Sequence, residues 1–185
     1  MMPVTQIKLG MVLVHNGELY KVMARQHVAP GNWRAMVQTK LKNLRTGNQI
    51  EQRFNADDKV ERAVLDQTEM EYLYHDGDHY HFMNTESFEQ ITLSEDILGD
   101  YAKYLQPNCH VKVDLYEEKP VAIELPQTMV FKVTEADPSV KRATASAQFK
   151  NATLENGIVV RVPPFIEVGD SVKVDTETGE YLERA

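Results

Sequence analysis

The chain contains little cysteine and no long apolar run. Its one cysteine, Cys109, excludes an internal disulfide and is typical of a reducing cytoplasm. The strand-like residues 109–115 predict a small buried side chain at this position. No apolar run approaches the roughly 20 residues that cross a bilayer, and the first ten residues lack the basic and apolar segments of a signal peptide. We therefore expect a cytoplasmic protein without membrane contact.

Motifs for nucleotide binding and nucleophilic catalysis are missing as well. There is no GxGxxG or GxxxxGK[ST] loop and no GxSxG turn, and no local motif surrounds the single cysteine. The many carboxylates of residues 64–126 include no pair that stands out from a solvated acidic face. We therefore expect a binding protein without a cofactor, and not an enzyme.

Three neighbouring histidines, His75, His79 and His81, raise the alternative of a metal hydrolase. Between them lies Asp76-Gly77, a two-residue hairpin signal. With these two residues at the turn, His75 lies on one face of the hairpin and the other two histidines lie on the opposite face. Ligands on two faces cannot converge on one ion, so we expect no metal site.

The net charge of −8 is unevenly distributed along the chain. Residues 1–63 contain ten Lys and Arg against five Asp and Glu, a charge of +5. Residues 64–126 contain three against 14, or −11, and residues 127–185 contain seven against nine, or −2. A basic charge confined to one end of the chain favours a nucleic-acid contact at that end.

Short strands joined by turn signals predict an all-β chain. The first strand is predicted over residues 7–14, and the only helix over residues 94–105 with Ser94 as its N-cap. The strand pattern favours a small barrel followed by two barrels of the OB type. These three segments are residues 1–63, 64–126 and 127–185.

Residues 27–41, HVAPGNWRAMVQTKL, organise the first segment. Two strand-like stretches flank a turn because proline fixes φ and glycine permits positive φ. The indole of the only tryptophan, if exposed beside an arginine, would offer a stacking surface; the alternative is that Trp33 folds back onto its own barrel. The candidate tip residues are Pro30, Gly31, Asn32, Trp33 and Arg34.

Period-two alternation follows the tip. Val37, Thr39 and Leu41 alternate with polar residues that include Lys40 and Lys42, which predicts an apolar inner face and a basic outer face. An ordinary solvated face is the alternative for the two lysines. The third segment contains a basic loop over residues 137–150. The alternative to a binding role for this loop is an ordinary mobile surface loop.

Over essentially its full length the chain resembles bacterial translation elongation factor P. The related eukaryotic and archaeal initiation factor lacks a third domain, and the elongation-factor-P-like paralogue is a closer alternative. The matching stretches are TKLKNLRTG (39–47), YLYHDGDHYHFMN (72–84), SFEQ (87–90), ATLENGIVVRVPPFIEVGDSVKVDT (152–176) and GEYLER (179–184).

The resemblance implies a KOW/SH3-like domain followed by two OB-fold domains, arranged as an elongated L that mimics tRNA. It implies a monomer that binds both ribosomal subunits beside peptidyl-tRNA and promotes peptide-bond formation at stalled consecutive prolines. Such a factor supplies positioning and no catalytic group. A generic OB-fold protein that binds single-stranded RNA is the alternative from another class.

The resemblance also implies the site residues. It places the tip loop beside the tRNA acceptor end and the basic first segment beside RNA phosphates, with Lys40, Lys42, Arg45 and Arg53 as candidate contacts. In the third segment, the candidate contacts to RNA and the small subunit are Arg142, Thr144, Lys150, Tyr181 and Arg184.

The sequence departs from the family at the tip. Relatives have Pro-Gly-Lys-Gly with an extended lysine, or in one branch a glycosylated arginine, whereas Asn32 occupies the lysine position here. Asparagine cannot carry an amine-linked extension, so we hypothesise that Trp33 and Arg34 replace the modified lysine by stacking and charge. Modification of Arg34 is the rival. In the third segment Arg142 and Ala143 replace the usual Gly-Asp before Thr144, which weakens the expected role of that loop.

Overall fold

A computed structural model describes residues 1–29, 31, 34–138 and 149–185. Contacts divide the chain into two compact units, Met1–Gly99 with Lys112–Glu124, and Asp100–Val111 with Leu125–Ala185. The described residues form three antiparallel sheets and little helix, so the all-β prediction is confirmed.

The first sheet has six strands in the order β1-β6-β2-β3-β4-β5. Its core is apolar and includes Leu13, Val22, Val37 and Leu41, each at most 2% exposed. The strands are β1 (Met2–Pro3), β2 (Val12–His15), β3 (Glu18–Val28), β4 (Met36–Asn43), β5 (Gln49–Asn55) and β6 (Lys59–Ala63), with a 3₁₀ turn at Val4–Gln6.

The prediction of one strand over residues 7–14 is wrong at its start. Ile7 ends the 3₁₀ turn and is fully buried, and Gly10 adopts a positive φ of 80°. The left-handed conformation of Gly10 interrupts the extended backbone, so β2 begins at Val12, although the Gly10 N–H and the Met11 carbonyl already form hydrogen bonds with Val22. Ile7 and Met11 therefore pack into the core of this sheet without belonging to a strand, whereas Leu9 is exposed.

The second sheet has five strands in the order β11-β10-β7-β8-β9, the number expected of an OB-type barrel. The strands are β7 (Asp66–Asp76), β8 (His79–Asn84), β9 (Gln90–Ser94), β10 (His110–Tyr116) and β11 (Lys119–Glu124). Cys109 precedes β10 and is half-buried, so the prediction that it lies buried within a strand is only partly met.

The predicted helix is much shorter than expected. Only α1 (Glu95–Leu98) is α-helical, and a 3₁₀ stretch, Gly99–Tyr104, follows it. Gly99 has φ of +54°, which no α-helix accommodates, so the helical path ends there. Ser94 precedes α1 in an extended conformation, but its side chain makes no capping hydrogen bond.

The hairpin with three histidines turns one residue later than predicted. Asp76 pairs with His79, so Gly77-Asp78 forms the turn. Gly77 has φ of +57° and stands first in the turn, the position where a type II′ turn requires glycine. His81 therefore pairs with Tyr74, and His75 lies on the other face, paired with Tyr80.

The third sheet also has five strands, in the order β14-β13-β12-β15-β16. Its core contains Phe131, Leu154 and Val172, each at most 1% exposed. The strands are β12 (Thr128–Ala136), β13 (Lys150–Leu154), β14 (Val159–Val162), β15 (Ser171–Asp175) and β16 (Tyr181–Arg184).

Candidate nucleic-acid interface

The β3–β4 hairpin carries the predicted tip. Its last pair joins Val28 to Met36, so residues 29–35 connect the strands. Gly31 and Arg34 are exposed in this connection. Pro30, Asn32 and Trp33 lie outside the described residues, so both readings of the tryptophan remain predictions.

Strand β4 is held on both sides, by β3 and by β5. Val37, Thr39 and Leu41 are buried and the intervening side chains are more exposed, which confirms the predicted alternation. Thr39 donates its hydroxyl hydrogen bond to the Gln52 carbonyl at 2.9 Å, so its polar atom is satisfied inside. The outward direction of Lys40 and Lys42 is therefore fixed by the register.

Three of the predicted contact residues share the outer face of this sheet. Register places Arg53 opposite Gln38, Glu51 opposite Lys40, and Gln49 opposite Lys42. Lys40 lies 3.6 Å from Glu51, and both side chains are more than half exposed, so this ion pair contributes little to stability. Lys42 has the neutral Gln49 as its β5 neighbour.

A fourth basic residue, Lys21, completes this face and was missed from the sequence. It lies on β3 directly opposite Lys42. A bulge between Val22 and Ala24 shifts the register by one residue. If the pairs from Val28–Met36 onward continued without this bulge, Lys21 would lie opposite Asn43. Because a bulge cannot be counted from the pattern, no sequence signal paired the two lysines. We call Lys21, Lys40, Lys42 and Arg53 the basic face.

Arg45 is not part of the basic face, since it occupies the turn after β4. Its guanidinium donates to the Glu18 carboxylate at 2.6 Å, and the Asn43 amide donates to the same carboxylate at 2.7 Å. The hydrogen bond from Arg45 is the main reason why the pKa of Glu18 lies below its ordinary value. Arg45 therefore ties the turn after β4 to the first residue of β3.

The predicted residues of the third sheet lie on different strands. Lys150 begins β13, whereas Tyr181 and Arg184 lie on β16 at the other edge of the strand order. Arg184 donates to Asp170 at 2.7 Å. Arg142 and Thr144 lie outside the described residues.

Neither a metal centre nor a membrane helix is present in the described part of the chain. No group of three or more His, Cys, Asp or Glu side chains there could hold a metal ion. The same ranges contain no helix with the length and apolarity needed to cross a membrane. Tyr74 stacks on His81 at 4.5 Å and His75 on Tyr80 at 5.4 Å, so these two histidines are packed against aromatic rings.

Three family models match successive parts of the chain. Residues 3–60 match "Elongation factor P (EF-P) KOW-like domain", residues 65–123 match "Elongation factor P (EF-P) OB domain", and residues 129–184 match "Elongation factor P, C-terminal". The first sheet is thus KOW-like and the second is of the OB type, as predicted.

Full-length relatives agree with these matches. The chain is 51% identical to Elongation factor P of Acidobacterium capsulatum, covering 99% of this chain and 98% of the relative. It is 48% identical to that of Gemmatimonas aurantiaca (98% and 96% covered) and 47% identical to that of Moorella thermoacetica (100% of both).

Among solved structures, the chain is similar to "Eukaryotic translation initiation factor 5A from Methanococcus jannaschii". The TM-score is 0.55 at 17% identity, covering 66% of this chain and 92% of the other. At this identity the likeness supports the fold alone.

Proposed function

Because the chain belongs to the elongation factor P family and is a translation elongation factor, we propose that it binds both ribosomal subunits beside peptidyl-tRNA as a monomer. There it promotes peptide-bond formation when the nascent chain stalls at consecutive prolines. It contributes no catalytic group and works by holding the acceptor end in a reactive orientation, since lost orientational freedom is a large part of a reaction barrier. Its place of action is the cytoplasm.

The basic face is the observation that carries this proposal. Four cations lie on adjacent strands with Glu51 as the acidic residue opposite Lys40, below a connection that exposes Arg34. A rigid sheet with cations at fixed spacing suits the phosphates of an RNA backbone, which set position without reading sequence. Lys40, Lys42, Arg53 and the added Lys21 therefore contact phosphate, and Arg45 acts at the edge of this surface.

The tip acts without the lysine modification of its relatives. Asn32 has no amine to extend, so Trp33 stacks on a base at the acceptor end and Arg34 supplies the positive charge. A base stack contributes roughly 1–3 kcal/mol, enough to replace part of a flexible extension. Intact-mass analysis of protein from its own host tests this. An added group on the tip peptide contradicts it, and a group on Arg34 supports the rival modification.

Three functional domains accompany the three sheets: residues 1–63, 64–126 and 127–185. The central segment, at −11, discourages non-specific RNA binding and acts as a spacer. In the third, Lys150, Tyr181 and Arg184, together with Arg142 and Thr144 of the loop, contact RNA or the small subunit.

Translation of a proline-run reporter tests the tip. Trp33→Ala and Arg34→Ala should each lengthen the pause at the prolines, while a reporter without prolines is translated at an unchanged rate. Lys59→Gln, a lysine on β6 outside the basic face, is the matched control. Parent-like activity of both tip variants overturns the stacking role, and failure to co-sediment with ribosomes overturns the function itself.

A further inference from the structure

The bulge in β3 turns one methionine toward solvent among the lysines of the basic face. Val22 pairs with Leu41, and Ala24 pairs with the next residue of β4, Lys40. Met23 is therefore the extra residue of the bulge. Val22 is only 2% exposed, so alternation along the strand places Met23 on the outer face, where it is 43% exposed. Bulges redirect side chains in this way and are common beside functional sites.

Met23 is exposed although β3 is an inner strand, with β2 on one side and β4 on the other. On the β2 side, the Gly10 N–H donates to the Val22 carbonyl at 2.9 Å, and the Val22 N–H donates to the Met11 carbonyl at 2.8 Å. These hydrogen bonds bring Gly10, which has no side chain, alongside this part of β3. The backbone around Met23 is thus held on both sides while its thioether stays open to solvent.

Three cations lie around this apolar side chain. Lys21 is two residues earlier on the same strand, a distance of roughly 7 Å along an extended backbone. Lys40 lies opposite Ala24, the residue that follows Met23, and Lys42 lies opposite Lys21. Opposite residues in a ladder have Cβ atoms roughly 5 Å apart, so all three ammonium groups can reach the same short stretch of a ligand. Phosphate binding needs only the lysines, which leaves the methionine for a different part of that ligand.

We propose that Met23 packs against a nucleoside, the ribose with its base, of the RNA strand whose phosphates these lysines hold. This inference rests on the proposed function of the basic face and adds to it a contact that charge alone does not supply. In RNA a nucleoside separates each phosphate from the next, and a polarizable thioether makes favourable contacts with aromatic rings. A polyanion without nucleosides offers Met23 nothing to pack against, so this residue lets the face distinguish RNA from other polyphosphates.

The test compares two ligands of the full-length protein: ribosomes, by co-sedimentation, and inorganic polyphosphate, by calorimetric titration. Met23→Gln removes apolar surface without changing the charge. It should weaken ribosome binding about three- to tenfold at every salt concentration, the effect of losing part of one apolar contact, and leave polyphosphate binding as in the parent. Lys42→Gln should weaken the binding of both ligands. Its effect on ribosome binding should shrink about threefold between about 50 and 200 mM salt, because salt dependence counts phosphate contacts.

Two matched variants separate the contact from effects on folding. Met23→Leu keeps an apolar side chain of similar size and should bind ribosomes like the parent. Met83→Gln makes the same substitution on β8, where Met83 pairs with Glu71 and Gln90, and should also bind like the parent. Parent-like ribosome binding of Met23→Gln, or an equal loss of ribosome and polyphosphate binding, overturns the nucleoside contact alone. A parent protein that binds neither ligand overturns the phosphate role of the basic face as well.

Discussion

Lys21 and Lys42 lie opposite one another on β3 and β4, and reversing one of these charges should stabilise the isolated protein while weakening its binding. Like charges directly opposite in a sheet are destabilising, and an opposite-charge pair contributes roughly 0.2–1 kcal/mol. Lys21→Glu replaces a repulsive pair of like charges by an attractive pair of opposite charges at an exposed position. We expect a gain of about 0.5–1 kcal/mol in the free energy of unfolding and a Tm higher by about 1–4 °C.

The same substitution should reduce ribosome binding in a salt-dependent way. Each phosphate neutralised by a lysine adds roughly 0.7–0.9 to the slope of log affinity against log salt. A variant that has lost one phosphate contact loses less affinity than the parent as the salt concentration rises. The ratio of parent affinity to variant affinity should therefore fall about threefold between about 50 and 200 mM salt. Co-sedimentation with ribosomes across that range measures it, and urea denaturation measures stability.

Lys40→Glu is the matched control. Lys40 has a favourable partner in Glu51 at 3.6 Å, so reversal there converts attraction into repulsion. Binding should fall as for Lys21→Glu, whereas stability should fall by about 0.2–1 kcal/mol. Two results would refute this reasoning: equal destabilisation by both substitutions, or an unchanged slope of log affinity against log salt for both. Either result would mean that these lysines do not bind phosphate at the expense of folding stability.

Three further outcomes follow from other parts of the molecule. Replacing the left-handed pair Glu117 and Glu118, at φ of 49° and 65°, by Asn-Gly should stabilise the protein by roughly 1–2 kcal/mol in total, measured by calorimetry; no rise in Tm refutes the strain. The pKa of Glu18 is lowered mainly by Arg45. Ionised Glu18 therefore stabilises the protein at a pH above its unfolded pKa, and this contribution is lost as the pH falls through the lower folded pKa. The difference in stability between the parent and Glu18→Gln should thus disappear below about pH 4. Phe131→Ala should cost about 3–5 kcal/mol in urea denaturation, because the ring is fully buried; a loss under about 1 kcal/mol contradicts that packing.

Alternation made the inner and outer faces of β4 predictable from the sequence. Inward Val37, Thr39 and Leu41 follow from a period of two, which depends only on the extended backbone. The pairing of Lys21 with Lys42 was not predictable, because it depends on one extra residue in β3. The face on which a side chain lies depends only on its own strand, whereas its neighbour on the next strand also depends on any bulge in the ladder.

The three errors in secondary structure each involve a glycine with positive φ, and the first is Gly10, which precedes the late start of β2. Gly99 ends α1 after one turn although the apolar spacing continues to Leu105, and Gly77 takes the first position of its turn and not the second. A glycine's φ is set by the path that the rest of the chain requires. The sequence shows where a glycine stands but not which φ angle it adopts.

The strand pairs of β4 end at Met36, which lies opposite Val28 on β3 and Asn55 on β5, and the Ala35 carbonyl accepts one further backbone hydrogen bond from Ala56 at 2.9 Å. The strand pairs that hold β4 in its sheet therefore lie outside the connection. Changes of side chain at its apex carry little thermodynamic penalty, so selection can exchange one tip chemistry for another without first repairing the scaffold.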